Sequence, residues 1–342
     1  MLQVMVKNGS LHFGDGLALN FQRTLRISDD GKTYPLPPGL GTFPVCKIED
    51  YQSRVPEDWA KHGGVFIPMY QREALWISFR PRHWKPNAVK VAVGKVNAVS
   101  GKPWSQELSA DEADYMVCPP QPWLDGINAG DGYIRQFVAM PLGMGYTVEG
   151  QVTGKEEFGG IQIIVYEPKP GKFPDQPPPI PVTRRAGLFD ALSVAPMADA
   201  TMRVQKAGGE MGLAAGGKMK QKIYPDPHGI DTWDPSNYGR VYIHIVNSLM
   251  FREITGSEPP PTPISAKTYT QYKLPWFDLY DERMGDIAAP GALQKVKSVK
   301  EMDREKGFAP QQDDDSIDVP DQQIVKYNLP EKEPDAVDDG EW

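Results

Sequence analysis

A chain of 342 residues with 40% hydrophobic and 24% charged side chains is long enough for one large or two ordinary domains around a sizeable core. Its 33 glycines and 34 prolines, about a fifth of the residues, exclude a mostly helical fold, because proline removes a backbone donor and glycine costs about 1 kcal/mol at a helical position. The net charge of −8 is concentrated in residues 309–342, where eleven Asp or Glu face two Lys; the 34 acidic and 35 basic side chains before them leave no basic stripe for nucleic acid.

MLQVMVKNGS carries no basic segment followed by an apolar one, and no run approaches the roughly 18 apolar residues of a membrane span. Two widely separated cysteines, Cys46 and Cys118, make no disulfide framework. The expectation is a cytoplasmic protein without membrane insertion. LQVMV, LALNFQRTLRI and TYPLPPGLGTFPV read as extended runs, the last two divided by a turn at DDGK, Asp29–Lys32. YQSRVPEDWAKH (51–62) predicts one short helix, with Pro56 at its first turn and Glu57 and Asp58 favourable there. GGVFIPMY returns to strand, followed by EALWISF (73–79) and by AVKVAVGKVNAV (88–99), where Val89, Val91 and Val93 alternate.

The strongest β signal spans 132–167, as GYIRQFVAM, GYTVEGQVTG and GGIQIIVYEPK. In the middle run Tyr146, Val148 and Gly150 are expected to face one way, and Thr147, Glu149 and Gln151 the other. KPGKFPDQPPPIPV (169–182) holds six prolines and reads as an extended connector. It separates a β-rich part, 1–168, from a second β-rich part, 183–308, or straps one continuous domain. A short helix is expected around 186–193. RVYIHIVNSLMF (240–251) reads as a strand and SEPPPTP as another connector. GALQKVKSVKEMDREKG (291–307) predicts the best helix, ended by Gly307, with Leu293, Val296, Val299 and Met302 on one stripe. An acidic tail, 309–342, carries one apolar patch, IVKYNL. The fold expected is mainly β: a large β-sandwich-like body with Pro-rich straps, few helices and one peripheral helix near 291–306.

GGEMGLAAGGK (208–218) has glycine and lysine spacing like that of a phosphate loop, but Met219 stands where the loop needs Ser or Thr, and Pro225 stops any following helix. It reads instead as a flexible loop or a close approach of two backbones. In YPDPHGIDTWDP, Asp226, His228, Asp231 and Asp234 are candidate metal ligands, although calcium-loop spacing is absent and a turn capped by Asp over Trp233 is the plainer reading. No G-x-S-x-G elbow occurs and both cysteines sit in apolar surroundings, so no catalytic residue or cofactor is assigned.

CPPQPWLDGINAGDGYIRQF combines an aromatic face with short polar groups at Trp123, Asp125, Asn128 and Asp131. With Gln151 and Gln162 these form a candidate site for a sugar or small ligand; a compact loop that satisfies its own backbone has the same composition. In LPWFDLYDE, Trp276, Phe277 and Tyr280 make an apolar knot, either a core plug or an interface anchor.

YPLPPGLGTFPV, PQPWLDGINAGDGYIRQFVAMPLGMGYTVEGQ, GGIQIIVYEPKPG and LPWFDLYDE resemble, nearly end to end, a microbial protein family with no established activity. The resemblance implies one unit rather than two fused modules, and brings no cofactor or catalytic residue. The leading functional expectation is a non-catalytic, self-associating scaffold. Its tail residues Ile324, Val325, Tyr327 and Leu329 would add a strand to a neighbouring subunit. Alternatives are a carbohydrate- or small-ligand-binding β-sandwich and a metal-dependent hydrolase.

Overall fold

Alternating apolar residues become strands along most of the chain. The computed structural model describes residues 1–179 and 209–326, apart from 110, 131, 263, 280–282, 310 and 312–314. The helix expected around 186–193, and Asp131, Tyr280, Tyr327 and Leu329, lie outside the described residues. Strands β1 (Val4–Lys7), β2 (Ser10–Phe13), β3 (Leu17–Thr24), β4 (Thr33–Tyr34), β5 (Gly39–Thr42) and β6 (Cys46–Lys47) precede helix α1 (Glu57–His62). Then come β7 (Val65–Met69), β8 (Ala74–Pro81), β9 (Asn87–Val93), β10 (Val96–Asn97), β11 (Met116–Cys118), β12 (Trp123–Leu124), β13 (Gly126–Gly130) and β14 (Tyr133–Pro141). Helix α2 (Val148–Thr153), β15 (Ile161–Pro168), β16 (Glu210–Lys220) and β17 (Trp233–Asn247) follow. The chain continues through α3 (Ser248–Thr255), α4 (Ala266–Gln271), β18 (Trp276–Asp278), α5 (Gly291–Gln294), α6 (Val299–Glu305) and β19 (Ile324–Lys326). With 38% strand against 16% helix the protein is mainly β, as its glycine and proline content predicts. Among the described residues no helix is long and apolar enough to cross a membrane.

Among the described residues seventeen strands join one sheet. Its spine is antiparallel, in the order β2, β3, β8, β14, β16, β17, β15, β9, with β7 added parallel to β17 and β4 parallel to β16. The side-chain period of two sends odd-numbered residues to a common interior. Leu19 and Phe21 of β3, Ile77 and Phe79 of β8, Val89 and Val91 of β9, Ile161 and Ile163 of β15, and Ile243 of β17 all enter one cluster. A sheet whose two ends feed the same core must curl over on itself, which gives the sandwich-like body. Strands from both sides of the Pro-rich stretch alternate in it. Late residues Trp276, Ile287, Leu293, Val296 and Ile317 complete the same cluster.

The structure departs from expectation in four places, and local caps decide the first three. GYTVEGQVTG is not a strand but contains α2, because the Thr147 hydroxyl accepts from Gly150 N and Gly154 takes the left-handed conformation that ends a helix. The strand of 240–251 stops at Asn247, whose side chain accepts from Leu249 N and starts α3. The helix expected over 291–306 is broken into α5 and α6. Ser298 begins the second with a capping box: its hydroxyl accepts from Glu301 N (3.1 Å), while its own N–H donates to Glu301 Oε2 (2.7 Å). Leu293, Val296 and Val299 are buried nonetheless. From Glu210 onward the glycine stretch is not a loop but β16, paired along β14. The close approach of backbones is real, since a Cβ on Gly217 would lie 2.4 Å from the Ser28 carbonyl oxygen.

Candidate functional site

While odd-numbered residues of β15 and β17 fill the core, the even-numbered Gln162, Arg240, Tyr242 and His244 form the floor of a cleft of about 530 Å3 on the outer face. Three segments wall it. The first is α1, which turns Trp59 inward until it is only 4% exposed. Its ring stacks on His244 with centroids 4.2 Å apart, and the tilted Tyr242 ring has its centroid 4.3 Å from that of the same imidazole. Burial pushes His244 down to about 4, so the ring is neutral near pH 7 and its Nε2–H donates to the Gly63 carbonyl (3.3 Å). At this end stand the Asp58 and Glu210 carboxylates; burial and then the Asp58 charge raise Glu210, while a hydrogen bond from the Trp59 side chain opposes them.

The second wall is the 155–160 loop, held from beneath by Glu149. That buried carboxylate accepts from the N–H groups of Glu157 (3.3 Å), Phe158 (3.1 Å) and Gly159 (2.9 Å). The Tyr242 hydroxyl donates to the carbonyls of Phe158 and Gly159, the latter at 2.9 Å, and so ties the same loop to the floor. Facing it is the β9–β10 turn. Gly94 has φ +52 and a Cβ there would sit 2.4 Å from Glu149 Oε2, so the turn requires glycine. Lys95, next in the chain, places its Nζ 3.5 Å from the centroid of the Phe158 ring, a cation–π contact inside the cleft. The third wall carries Trp104. It is fixed from below by Lys90, 1% exposed, whose Nζ bonds to Asp114 Oδ2 (2.5 Å) and to the Glu107 carbonyl. Arg240 donates to Gln106 Oε1 (3.0 Å) beside it.

No protein-family model matches the chain, and no curated protein or solved structure matches it significantly. Its chemistry is therefore read from the site alone.

The residues singled out in the sequence are placed as follows. Of the five ligand candidates among the described residues, Gln162 alone lines the cleft, its Oε1 accepting from Lys95 N (2.9 Å). Trp123, Asp125 and Asn128 are 2%, 1% and 1% exposed. Asn128 is a fastener: its amide nitrogen donates to the carbonyls of Val99, Ile287 and Ala288. Gln151 ties the start of α2 to the α5–α6 link through Tyr146 O and Lys297. Asp226 accepts from Tyr115 Oη (2.7 Å), Trp233 Nε1 (2.9 Å) and His228 N (2.7 Å), and Asp234 accepts from Ser236. Together with Asp231 they form the Asp-capped turn, and among the described residues no three His, Cys, Asp or Glu gather in a metal-holding group. Trp276 and Phe277 are plugs, 0% and 6% exposed. Ile324 and Val325 pair in parallel with Trp276 and Phe277 of their own chain. The sequence carries a signal for the cleft: in RVYIHIV the outward positions are Arg, Tyr and His rather than small polar residues.

Asp125 offers a separate test. Burial pushes its carboxyl well above the usual carboxylate range, and the Trp123 and Gln221 side chains offset this only in part. A carboxyl raised in the native state contributes its stability below the unfolded value, near about 4, and loses it as pH rises toward the folded value. Asp125→Asn is therefore expected to be more stable than the wild type by about 1–3 kcal/mol at neutral pH, with the gap closing toward pH ~4. Urea unfolding at both pH values measures it; a gap that widens in acid contradicts the assignment.

Proposed function

We propose that this chain is a ligand-binding β protein whose ligand, a glycan or another small extended molecule, lies in the cleft along β17. One observation carries the reading: Trp59, Trp104, Phe158 and Tyr242 together line one depression of about 530 Å3 on the outer face of the sheet. That volume is within the roughly 300–1,000 Å3 of small-molecule sites, which join apolar and aromatic walls to a few placed polar groups. The rings supply stacking area, and the amide of Gln162 and the charged rim supply direction. Phe158, 41% exposed, can be removed without opening the core. Phe158→Ala is expected to weaken binding about tenfold, near 1.4 kcal/mol, while leaving the melting temperature in place. A screen of glycans and short peptides by calorimetry, repeated on this variant, tests it; ligands that bind the variant as tightly as the wild type would place the site elsewhere.

A second reading, self-association, has its own support. Among the described residues β19 is the outer strand of its pair and Val325 is 48% exposed, which leaves a main-chain edge for a further strand. Light scattering across a wide concentration range tests it, and a constant monomer mass rejects it. Cys46 and Cys118, both free, accord with a reducing compartment such as the cytoplasm.

A further inference from the structure

We infer that the Glu210 end of the cleft takes a protonated primary amine carried on a flat aromatic body. The inference rests on the ligand-binding reading above and specifies its chemistry. Strand register assembles this end. Val93, Ile161 and Ile243 lie side by side across β9, β15 and β17. Gly94 N donates to the Gly160 carbonyl and Gly160 N to that of Met211. Lys95 follows Gly94 and Glu210 precedes Met211, so both border the same end of the cleft. Asp58 of α1 and Glu157 of the 155–160 loop join them, with His244 in the floor.

Most donors at this end are already committed. The Tyr242 hydroxyl donates to the Phe158 and Gly159 carbonyls, the Trp59 side chain to Glu210, and the His244 Nε2–H to the Gly63 carbonyl. Acceptors remain. Among the described residues no donor reaches Nδ1 of His244, a side chain only 7% exposed, and Asp58 and Glu210 form no ion pair. Glu157 pairs with Lys155 (3.3 Å). Lys95 is the exception among the donors. Among the described residues its ammonium pairs with none of these carboxylates and sits on the Phe158 ring instead, which shows that a ring face at this end holds a cation.

A ligand that suits these groups brings both N–H donors and positive charge. A primary ammonium has three donors, enough for charge-assisted bonds to the Glu210 carboxylate and for a further one to His244 Nδ1. A neutral sugar would leave the carboxylates unanswered, and a quaternary ammonium has no hydrogen to give. Burial and the Asp58 charge push Glu210 up, and a cation seated beside it keeps it ionised. The body has its own place. Trp104 N donates to the Lys95 carbonyl and Arg240 to Gln106, so the Trp104 wall runs from the lysine toward Arg240. His244 and Arg240 are four strand positions apart, roughly 13 Å, and an aromatic body between them meets the Tyr242 and Trp104 rings.

The test is calorimetry on the full chain with tryptamine and three analogues of its shape: tryptophol, indole-3-propionate and N,N,N-trimethyltryptammonium. Tryptamine is expected to bind, and each analogue at least tenfold more weakly. Glu210→Gln, which keeps an acceptor for the Trp59 indole, should erase the preference for tryptamine over tryptophol. Lys95→Met removes the resident cation and should tighten tryptamine several-fold, a gain that a purely structural lysine would not give. Thermal melts establish that both variants fold. Any analogue that binds as tightly as tryptamine overturns the inference; if Phe158→Ala weakens that binding, the ligand-binding reading survives. If none of the four binds, the inference falls, and the glycan and peptide screen alone decides the broader reading.

Discussion

Replacing Lys90 by alanine is expected to lower stability by about 3–5 kcal/mol, because it strands a buried carboxylate. Lys90 is 1% exposed and Asp114 5%, and among the described residues the ammonium is the one cation paired with that acid. The pair also anchors a loop. Asp114 accepts from Ser109 N (2.9 Å), its carbonyl from Asn97 Nδ2 (2.7 Å), and the Trp104 ring lies 5.7 Å from the lysine nitrogen. Ligand affinity should therefore fall together with stability. The control is the double variant Lys90→Met with Asp114→Leu, which removes both charges and is expected to regain most of the loss. Urea midpoints at constant m-value measure both variants. If the single change costs under 1 kcal/mol, the pair is not what holds the loop.

Arg23→Ala is expected to cost a similar amount, about 3–5 kcal/mol, and to make stability depend on pH. The guanidinium donates twice to Glu73 Oε1, at 2.8 and 2.7 Å, and once to the Pro261 carbonyl. Glu73 is 2% exposed and its other oxygen accepts from Tyr70 N (2.9 Å). Burial pushes this carboxyl up and Arg23 is the main force opposing it, so without the arginine the native state favours the protonated acid. The variant then has its full remaining stability below the unfolded glutamate value, about 4.3, and loses stability as pH rises through neutrality. The deficit against the wild type should be smallest in acid. A deficit that is flat from pH about 4 to 8 contradicts the account.

How far these features were legible follows from how local each signal is. Pro56-Glu57-Asp58 marked α1 because caps and charges act within one turn, and Val89, Val91 and Val93 marked β9 because period two is a neighbour-to-neighbour rule. The stripe over 291–307 foretold burial of Leu293, Val296 and Val299, but apolar spacing overrode the Ser298–Glu301 box that divides the helix. Likewise Thr147 and Gly154, a start and a stop, were read as strand residues. The PQPWLDGINAG segment read as a ligand site or as a compact loop that satisfies its own backbone. It is buried because its polar groups find carbonyls from residues 99, 287 and 288, partners remote in sequence. The cleft is assembled from five separated segments between Asp58 and His244, and no spacing rule joins those.

The last residues to enter the core also set a timetable. Ser28 bonds to the Asp315 carbonyl, Tyr34 to that of Ile317, and Ile317 itself belongs to the central cluster that also holds Phe21 and Leu36. β3 and β4 thus wait for a partner made nearly the whole chain later. At about 5–20 residues per second, ribosomal synthesis leaves the apolar face of those first strands open for roughly 15–60 s. The interval is when a chaperone that shields nascent strands has most to protect.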